Sequence, residues 1–488
     1  MLSEGPSCGS ASRKWKGVMA MKVNRRHFLS GAAGGAAAAL VGSASGWADA
    51  ELFAQNLGLA SLPTPEESGI EHIVVVMMEN RSFDHFLGWL PNADGQQAGL
   101  TYFDAAGVAH ETHALAPDFT GSTHPDPDHS YEGGRVQYDG GAMDGFLRSG
   151  SNDDFAIGYY VETDRPFFNA LARNYTTLDH YFCSFLGPTF PNRFFLHGAQ
   201  TDRRENTFDL ATMPTIWDRL LTAGVSARYY WSNAPFLLLW GPKYFLNGIT
   251  TPSPNITSFF SDAASGNLPA VSFVDPVFTG FDAPVPPNDD HPPADIRLGD
   301  QFLAQIFNVV ANGPSWSSTL LIVTYDEWGG FFDHVAPPRA TAANGANDVD
   351  QDQVNGKALL GFRVPTVVAS PFSRGEPDDP KVKGMTFDHT SILKLIEWRF
   401  GLDTLTARDA SRDVQNLARA LKFKHPNAVV PELSLAPFIQ PEKIVTSSAA
   451  LAAAPAAASS ASRGLSDSRN PWPRLRDSHL LKGWNLPQ

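Results

Sequence analysis

Runs of apolar residues alternate with amphipathic segments along most of the chain. Residues 73–78 are six apolar residues in a row, and residues 318–325 form a second, largely apolar run. Residues 296–312 carry apolar side chains at helical spacing. Buried strands that alternate with helices predict an α/β fold, with a mostly parallel central sheet covered by helices on both faces.

The other predicted elements continue this alternation. Strands are predicted over 225–231, 270–275 and 364–369, and helices over 166–174, 191–199, 215–223 and 390–400. Residues 92–155 are rich in Gly, Asp, His and Pro and show little periodicity. Because a long irregular stretch inside a compact domain usually shapes a site, we predict functional loops there.

The N-terminus has the pattern of an export signal. NRRHFLSG at 24–31 is followed by a weakly apolar Ala-rich segment and by Ala-Asp-Ala at 48–50. This order is typical of a cleaved signal peptide, and Arg25–Arg26 before Phe28–Leu29 indicates the bacterial twin-arginine export machinery. We therefore expect residues 1–50 to be removed and the protein to be periplasmic, attached to the cell envelope or secreted.

The remaining chain is predicted to form one large domain with a tail. The periodic pattern covers residues 51–445, whereas residues 446–488 include the low-complexity Ala/Ser segment SSAALAAAPAAASSASRG. That tail is expected to be flexible. After the signal, no apolar run reaches the roughly 18 residues of a membrane span, so no transmembrane segment is predicted in the mature protein.

Composition and charge exclude one class of partner. The chain is 43% hydrophobic and 18% charged, which is ordinary for a soluble globular protein. Its formal net charge is −14 at pH 7. A general nucleic-acid-binding protein needs many Lys and Arg side chains for the phosphate backbone, so nucleic acid is not an expected partner.

Two of the predicted strands end in acidic pairs. Glu79 and Asn80 follow the first strand, and Asp326 and Glu327 follow the strand at 318–325. Ligands of open α/β sheets bind outside the carboxyl ends of the strands, where these side chains would meet. Their hard oxygen atoms suit Ca²⁺, Mg²⁺ or Mn²⁺ and could also hold Zn²⁺. Taken singly, each pair is more simply explained as an unrelated surface turn, whereas the two pairs together with the histidines described below favour a cation site.

Thr189 stands at the predicted start of a helix in FLGPTFPNRFFLHG. Pro188 and Pro191 flank it closely, and a hydroxyl residue there fits a helix N-cap, which is the simpler interpretation. The alternative is a nucleophile at the positive end of the helix, where phosphate is favoured. That role requires a cation, because a threonine hydroxyl is weakly acidic.

Several of the 14 histidines lie in polar segments beside acidic residues. They are His124, His129, His291, His334 and His389. As a group they suggest phosphate ligands, an acid for the leaving group or additional metal sites, although a single loop histidine is usually only solvated. A structural role is favoured for His389, which adjoins the predicted helix at 390–400.

Five segments resemble, in order, the bacterial phosphoesterase family. They are HIVVVMMENRSFDHFLG, HSYEGGRVQYDGGAMDGF, GPTFPNRFFLHGA, DDHPPADIRLGDQFL and TYDEWGGFFDHVAPP. The family contains exported phospholipases C that act on phosphatidylcholine, and acid phosphatases that inhibit the respiratory burst. The resemblance covers roughly residues 70–440 and implies an α/β fold of the alkaline-phosphatase type.

The resemblance also implies a role for each candidate residue. Glu79, Asn80, Asp326 and Glu327 match the metal ligands, Thr189 matches the nucleophile, and His129 and His291 match histidines of the phosphate site. His334 matches a family position with a less defined catalytic role. Asn192 is expected to orient phosphate, and Arg193 to form a structural ion pair.

The implied reaction is hydrolysis of a phosphatidylcholine-type lipid to diacylglycerol and phosphocholine through a phospho-threonine. One alternative on the same core is an acid phosphatase that acts on monoesters. A different class is a secreted phosphate- or lipid-binding protein without catalysis. A sulfatase is disfavoured because its signature is absent around Thr189. Aromatic segments at 229–231 and 235–240 could line a lipid or choline pocket, although core packing is their more common role.

Overall fold

A seven-stranded mixed sheet lies at the centre of the computed structural model, which describes residues 62–349 and 352–433. The predicted signal peptide at 1–50 and the tail at 446–488 lie outside the described residues. The strands are β1 His72–Met78, β2 Thr101–Phe103, β3 Ala109–Glu111, β4 His113–Ala114, β5 Gly158–Tyr159, β6 Thr176–Thr177, β7 Ala227–Tyr230, β8 Val271–Val274, β9 Thr319–Tyr325, β10 Arg339–Thr341, β11 Lys357–Leu359, β12 Val367–Ala369 and β13 Lys381–Val382.

Helices follow most of the long strands. They are α1 Phe83–Leu87, α2 Tyr131–Tyr138, α3 Pro166–Asn174, α4 Thr189–Gly198, α5 Ile216–Ala223, α6 Lys243–Leu246, α7 Ile256–Ser265, α8 Ile296–Ala311, α9 His389–Phe400 and α10 Ala407–Ala410. Among the helices of the described residues, none is both long enough and apolar enough to cross a membrane.

The central sheet has the order β13-β6-β12-β9-β1-β8-β7. All neighbouring strands run parallel except β12, which is antiparallel to β9 and β6. Every residue of β9 is buried, and successive side chains of a strand point to opposite faces, so both faces of the sheet are covered. The predicted α/β fold with a mostly parallel sheet is therefore confirmed.

The register of the central strands determines where the acidic side chains emerge. Met78 of β1 lies beside Tyr325 of β9, so Glu79 and Asp326 leave the sheet at the same level. On the other side of β1, Val76 pairs with Val274 at the end of β8. The parallel strands thus bring three chain segments to one edge of the sheet.

The predicted helix and strand boundaries agree with the structure to within a few residues. The helix at 166–174 is α3 itself, whereas the helix predicted at 191–199 begins two residues earlier, at Thr189. The prediction of irregular loops over 92–155 was partly wrong, because the region contains β2, β3, β4 and α2. Two glycines in YEGGRVQY obscure α2 in the sequence, but the Ser130 side chain caps it by accepting a hydrogen bond from Gly133 N.

Candidate active site

The ends of β1 and β9 are joined by a direct contact between the two predicted acidic pairs. Asn80 donates its backbone N–H to Asp326 Oδ1 over 3.0 Å. Its φ angle is 57°, a left-handed conformation that asparagine tolerates better than most residues. Gly329 packs against this turn, and a Cβ atom there would lie 2.1 Å from the Asn80 carbonyl oxygen. The turn after β1 therefore requires glycine in the loop after β9.

Thr189 is the first residue of α4, and its hydroxyl is not used as a helix cap. The N-cap position is Pro188, and α4 has no side-chain capping hydrogen bond. The capping interpretation of Thr189 is therefore wrong. Its Oγ1 donates instead to Asn80 Oδ1 over 3.4 Å, a long contact that leaves the hydroxyl weakly held. The helix N-terminus and the end of β1 thus meet at this oxygen.

Arg193 lies one turn further along α4 and contacts three carboxylates. Its guanidinium is 3.1 Å from Glu79 Oε1, 3.0 Å from Asp275 Oδ1 and 3.6 Å from Asp326 Oδ2. The predicted structural ion pair of Arg193 is confirmed, and it involves three carboxylates. Burial raises the pKa of Glu79 well above its ordinary value, and Arg193 opposes this shift. Burial also raises the pKa of Asp326 to about 7, again against the effect of Arg193.

The residues present fit a divalent cation. Asp326 Oδ2 is buried and accepts no hydrogen bond from the described residues, and Arg193 Nε lies 3.6 Å away. A buried carboxylate oxygen without a hydrogen bond is costly. The predicted set of Glu79, Asn80, Asp326 and Glu327 offers only oxygen donors, which hard cations prefer. The acidic ends of β1 and β9 are therefore compatible with a metal site.

His129 and His291 lie together beside this centre. His129 Nδ1 is 2.5 Å from Glu327 Oε1, and Asn80 Nδ2 lies 3.5 Å from the same nitrogen. The His129 and His291 rings are 5.7 Å apart between centroids. Burial lowers the pKa of His129, but the neighbouring carboxylates outweigh it, and the pKa is raised well above its ordinary value. Glu327 thus joins His129 to the acidic strand ends, and His291 lies next to His129.

His334 belongs to a different cluster. Its Nδ1 is 2.5 Å from Asp84 Oδ2, and Nε2 is 3.5 Å from Asp94 Oδ1. Arg363 donates to Asp84 at 3.1 Å and to Asp333 at 2.9 Å. These contacts are those of a structural ion-pair network. A catalytic role for His334 stays a prediction, because none of these contacts joins it to Thr189 or His129.

Asn192 is bonded to the loop that precedes α4. Its side chain is buried, and Nδ2 donates to the carbonyl oxygens of Phe185, Gly187 and Pro188. Oδ1 accepts from Phe185 N over 2.9 Å. Since these bonds occupy both ends of the amide, Asn192 holds the loop that carries Thr189. A direct contact between Asn192 and phosphate stays a prediction.

A largely apolar cavity opens beside Thr189. It encloses about 480 Å³, including space that is continuous with solvent. Its polar wall is formed by Glu79, Thr189 and Arg193. The apolar wall consists of Phe190, Phe208, Ala234, Pro235, Phe236, Leu238, Leu239, Phe278 and Phe281. Of the two aromatic segments noted in the sequence, 235–240 lines this cavity, whereas 229–231 is buried in the core.

Three residues of the site were not assigned from the sequence. Arg193 was noted only as an ion-pair candidate, and Asp275 only as the end of a predicted strand. Asp126 was not singled out, although its side chain lies between His129 and His291. Asp275 could have been found from its position at the end of a predicted strand. Glu79 and Asp326 were selected as site residues on that same basis.

Comparison with known proteins identifies the family to which this chain belongs. A family model described as the phosphoesterase family matches residues 70–403, which include every predicted site residue. The chain belongs to the phosphoesterase family.

Curated relatives of this phosphoesterase are named phospholipases C. Phospholipase C A of Mycobacterium tuberculosis is 32% identical over 84% of this chain and 88% of its own length. Non-specific phospholipase C6 of Arabidopsis thaliana is 31% identical over 70% of this chain and 71% of its own length. Together with the family match, these relatives establish the phosphoesterase as a hydrolase that acts on phosphoester bonds.

The folds of solved structures are similar to that of this phosphoesterase only in part. A protein in the alkaline phosphatase superfamily from Vibrio parahaemolyticus covers 72% of this chain with 9% identity and a TM-score of 0.33. Phosphonate monoester hydrolase of Agrobacterium radiobacter covers 70% with 11% identity and the same TM-score of 0.33. The fold class of the phosphoesterase therefore depends on its own sheet, as described above.

Proposed function

We propose that this phosphoesterase is an exported phospholipase C that releases diacylglycerol and phosphocholine from phosphatidylcholine-type lipids. The observation that carries the proposal is the position of Thr189. Its hydroxyl does not cap α4 and lies 3.4 Å from Asn80 Oδ1. This oxygen is at the polar end of a cavity whose other walls are apolar. A nucleophile placed between cation ligands and an apolar cavity suits an amphipathic phosphodiester.

The reaction proceeds in two displacements at phosphorus. Thr189 Oγ1 attacks phosphorus in line, and the bond from phosphorus to the glycerol oxygen breaks. The Thr189 proton ends on that oxygen, so diacylglycerol leaves and phosphocholine stays attached to Thr189. Water then attacks phosphorus, the bond to Thr189 Oγ1 breaks, one proton of the water returns to Thr189, and phosphocholine leaves with the oxygen of the water. We assign stabilisation of the departing oxygen to His129 and His291, which lie beside the acidic ends of β1 and β9.

The protein's own residues prepare this chemistry. The N-terminus of α4 places its positive dipole end beside Thr189, where the phosphate would bind. Asn192 holds the preceding loop, so the backbone that carries Thr189 is positioned before substrate binds. The oxygen donors at the ends of β1 and β9 would hold a divalent cation, which would lower the pKa of the Thr189 hydroxyl and offset phosphate charge.

The cavity favours a diester substrate over a monoester. A phosphate monoester needs only a polar phosphate site, whereas a lipid diester also needs room for a second, partly apolar substituent. Phe236 and Phe278 line the cavity that Thr189 faces, and Arg193 lies 4.6 Å from the centre of the Phe278 ring. Aromatic walls of this kind accommodate hydrocarbon or a quaternary ammonium group.

Substrate comparison tests this proposal. We expect kcat/KM for p-nitrophenylphosphorylcholine to exceed that for p-nitrophenyl phosphate by at least about tenfold, and a chelator to abolish both activities. Phe236→Ala should lower kcat/KM for the diester and leave the monoester nearly unchanged. A preference for the monoester would identify an acid phosphatase, and bound metal without hydrolysis of either ester would identify a binding protein.

Export by the twin-arginine route is the second part of the proposal. It is supported by Arg25–Arg26 and the segment that follows, which lead into Ala-Asp-Ala at 48–50. The mature enzyme would then be periplasmic, envelope-bound or secreted. Cell fractionation tests this directly: Arg25→Lys with Arg26→Lys should retain the protein in the cytoplasm, and unchanged export of that variant would contradict the route.

A further inference from the structure

We infer that Tyr229 and Asn233 are positioning residues that hold two aromatic walls of the apolar cavity and thereby set its preference for a phosphodiester over a monoester. Tyr229 is the third residue of β7, and Asn233 lies three residues beyond the end of that strand. Both side chains are buried, and each forms hydrogen bonds with the backbone of a phenylalanine that lines the cavity. The consequence for substrate choice rests on the proposed function.

Asn233 forms two hydrogen bonds with the backbone of Phe278. Its Nδ2 donates to the Phe278 carbonyl oxygen over 2.9 Å, and its Oδ1 accepts from the Phe278 N–H over 2.8 Å. Only this orientation of the side-chain amide satisfies both backbone groups. Arg193 lies over the same phenylalanine, 4.6 Å from the centre of its ring. Asn233 therefore fixes the backbone of one cavity wall, while Arg193 contacts its ring.

The Tyr229 hydroxyl connects a second cavity wall to the acidic centre. It accepts a hydrogen bond from the Phe236 N–H over 2.8 Å and donates to Asp275 Oδ2. The other carboxylate oxygen of Asp275 lies 3.0 Å from Arg193. Phe236 begins a short 3-10 helix whose N-cap residue provides no side-chain hydrogen bond. The Tyr229 hydroxyl thus satisfies the first N–H of that helix and ties it to the arginine and its carboxylates.

Hydrogen bonds to the backbone define the position of these walls more closely than ring contacts do. The centre of the Phe236 ring is 5.5 Å from that of Phe190 and 5.3 Å from that of Phe194, both in α4. Such apolar contacts have no preferred direction, whereas a hydrogen bond requires both a distance and an angle. The separation of the walls therefore depends on the two buried polar side chains.

The two kinds of ester depend on these walls to different extents. A phosphate monoester needs only the polar end of the cavity, at Thr189 and Arg193, whereas the second substituent of a diester would extend between Phe236 and Phe278. A shift of either wall should therefore raise KM for the diester and leave kcat and the monoester reaction nearly unchanged. General unfolding would instead lower both activities in proportion, because the same protein hydrolyses both esters.

Steady-state kinetics of the full chain with two esters test the inference. We expect Tyr229→Phe and Asn233→Ala each to raise KM for p-nitrophenylphosphorylcholine by about tenfold, because the binding surface is displaced. Their kcat for this ester, and their kcat/KM for p-nitrophenyl phosphate, should stay within about twofold of the wild type. The ratio of the two kcat/KM values, measured on one preparation, is independent of the fraction of protein that is folded.

Two matched controls remove similar groups away from the cavity. Tyr160→Phe removes a buried hydroxyl that donates to the Asp118 carbonyl oxygen over 2.8 Å. Asn169→Ala removes a buried amide that donates to the Glu162 carbonyl oxygen over 2.7 Å. Both controls should keep the wild-type ratio of the two kcat/KM values, even where they lower stability.

Binding of dihexanoylglycerol reports on the cavity walls without catalysis. This probe has two hydrocarbon chains and no phosphate, and calorimetry gives its dissociation constant. We expect about tenfold weaker binding to Tyr229→Phe and to Asn233→Ala than to the wild type. Unchanged ester selectivity together with unchanged affinity for the probe in both variants would overturn the inference. A wild-type preference for the monoester, with weaker binding of the probe to both variants, would contradict the phospholipase proposal and support the positioning role.

Discussion

Thr189→Val is expected to lower kcat by at least about 10⁴-fold, because loss of a nucleophile removes the covalent route. Valine has nearly the same shape as threonine, and the Thr189 hydroxyl makes only one long hydrogen bond, at 3.4 Å. The free energy of unfolding should therefore change by less than about 1 kcal/mol. Steady-state kinetics with p-nitrophenylphosphorylcholine, together with urea unfolding, measure both effects.

Two further variants distinguish the catalytic role of the Thr189 hydroxyl from the general effect of removing a buried hydroxyl. Thr189→Ser keeps a hydroxyl and should retain measurable turnover. Thr250→Val removes an equally buried hydroxyl, which donates to the Tyr229 carbonyl over 2.8 Å away from α4. That variant should keep wild-type kcat and lose about 1 kcal/mol of stability. Wild-type turnover by Thr189→Val would contradict covalent catalysis at this residue.

Arg193→Met is expected to cost about 3–5 kcal/mol of unfolding free energy in the metal-free protein, since it leaves buried carboxylates without their counter-charge. Glu79, Asp275 and Asp326 all lie within 4 Å of the guanidinium. Methionine fills a similar volume, so the lost unfolding free energy reflects the missing charge rather than a change in packing. Urea unfolding of the wild type and the variant in the presence of chelator measures this cost.

Divalent cations should rescue part of that loss. Without Arg193, Glu79 and Asp326 attract a cation more strongly, and an ion at 100 times its dissociation constant adds about 2.7 kcal/mol to stability. Mg²⁺ and Ca²⁺ are tested in parallel. The matched control is Arg165→Met, which removes a buried arginine paired with Asp290 at 2.8 Å. Equal stabilisation of both variants by the cation would contradict a metal site beside Arg193.

The elements that carry the site were predictable because their signals are local. The apolar runs of β1 and β9 end at Glu79 and Asp326, and parallel neighbours end at the same edge of the sheet. The prolines around Thr189 predicted the start of α4 to within two residues. The antiparallel direction of β12 had no such signal, because an apolar run has the same pattern in either direction.

Contacts between distant segments were harder to predict. Arg193 meets carboxylates that follow β1, β8 and β9, and only the sheet order reveals that these strands are adjacent. Asp126 lies in a segment with several acidic residues, and nothing in its sequence spacing links it to His291. His334 was grouped with the other histidines by composition, whereas Asp84 and Arg363 hold it in a separate network.

The most direct test of the central claim is to look for the covalent intermediate. Wild-type protein is mixed with p-nitrophenylphosphorylcholine, quenched in acid within one turnover and digested for mass spectrometry. The account predicts a phosphocholine group on the peptide that contains Thr189, and none on that peptide from Thr189→Val. Full turnover with no adduct on Thr189, or an adduct on another residue, would contradict it.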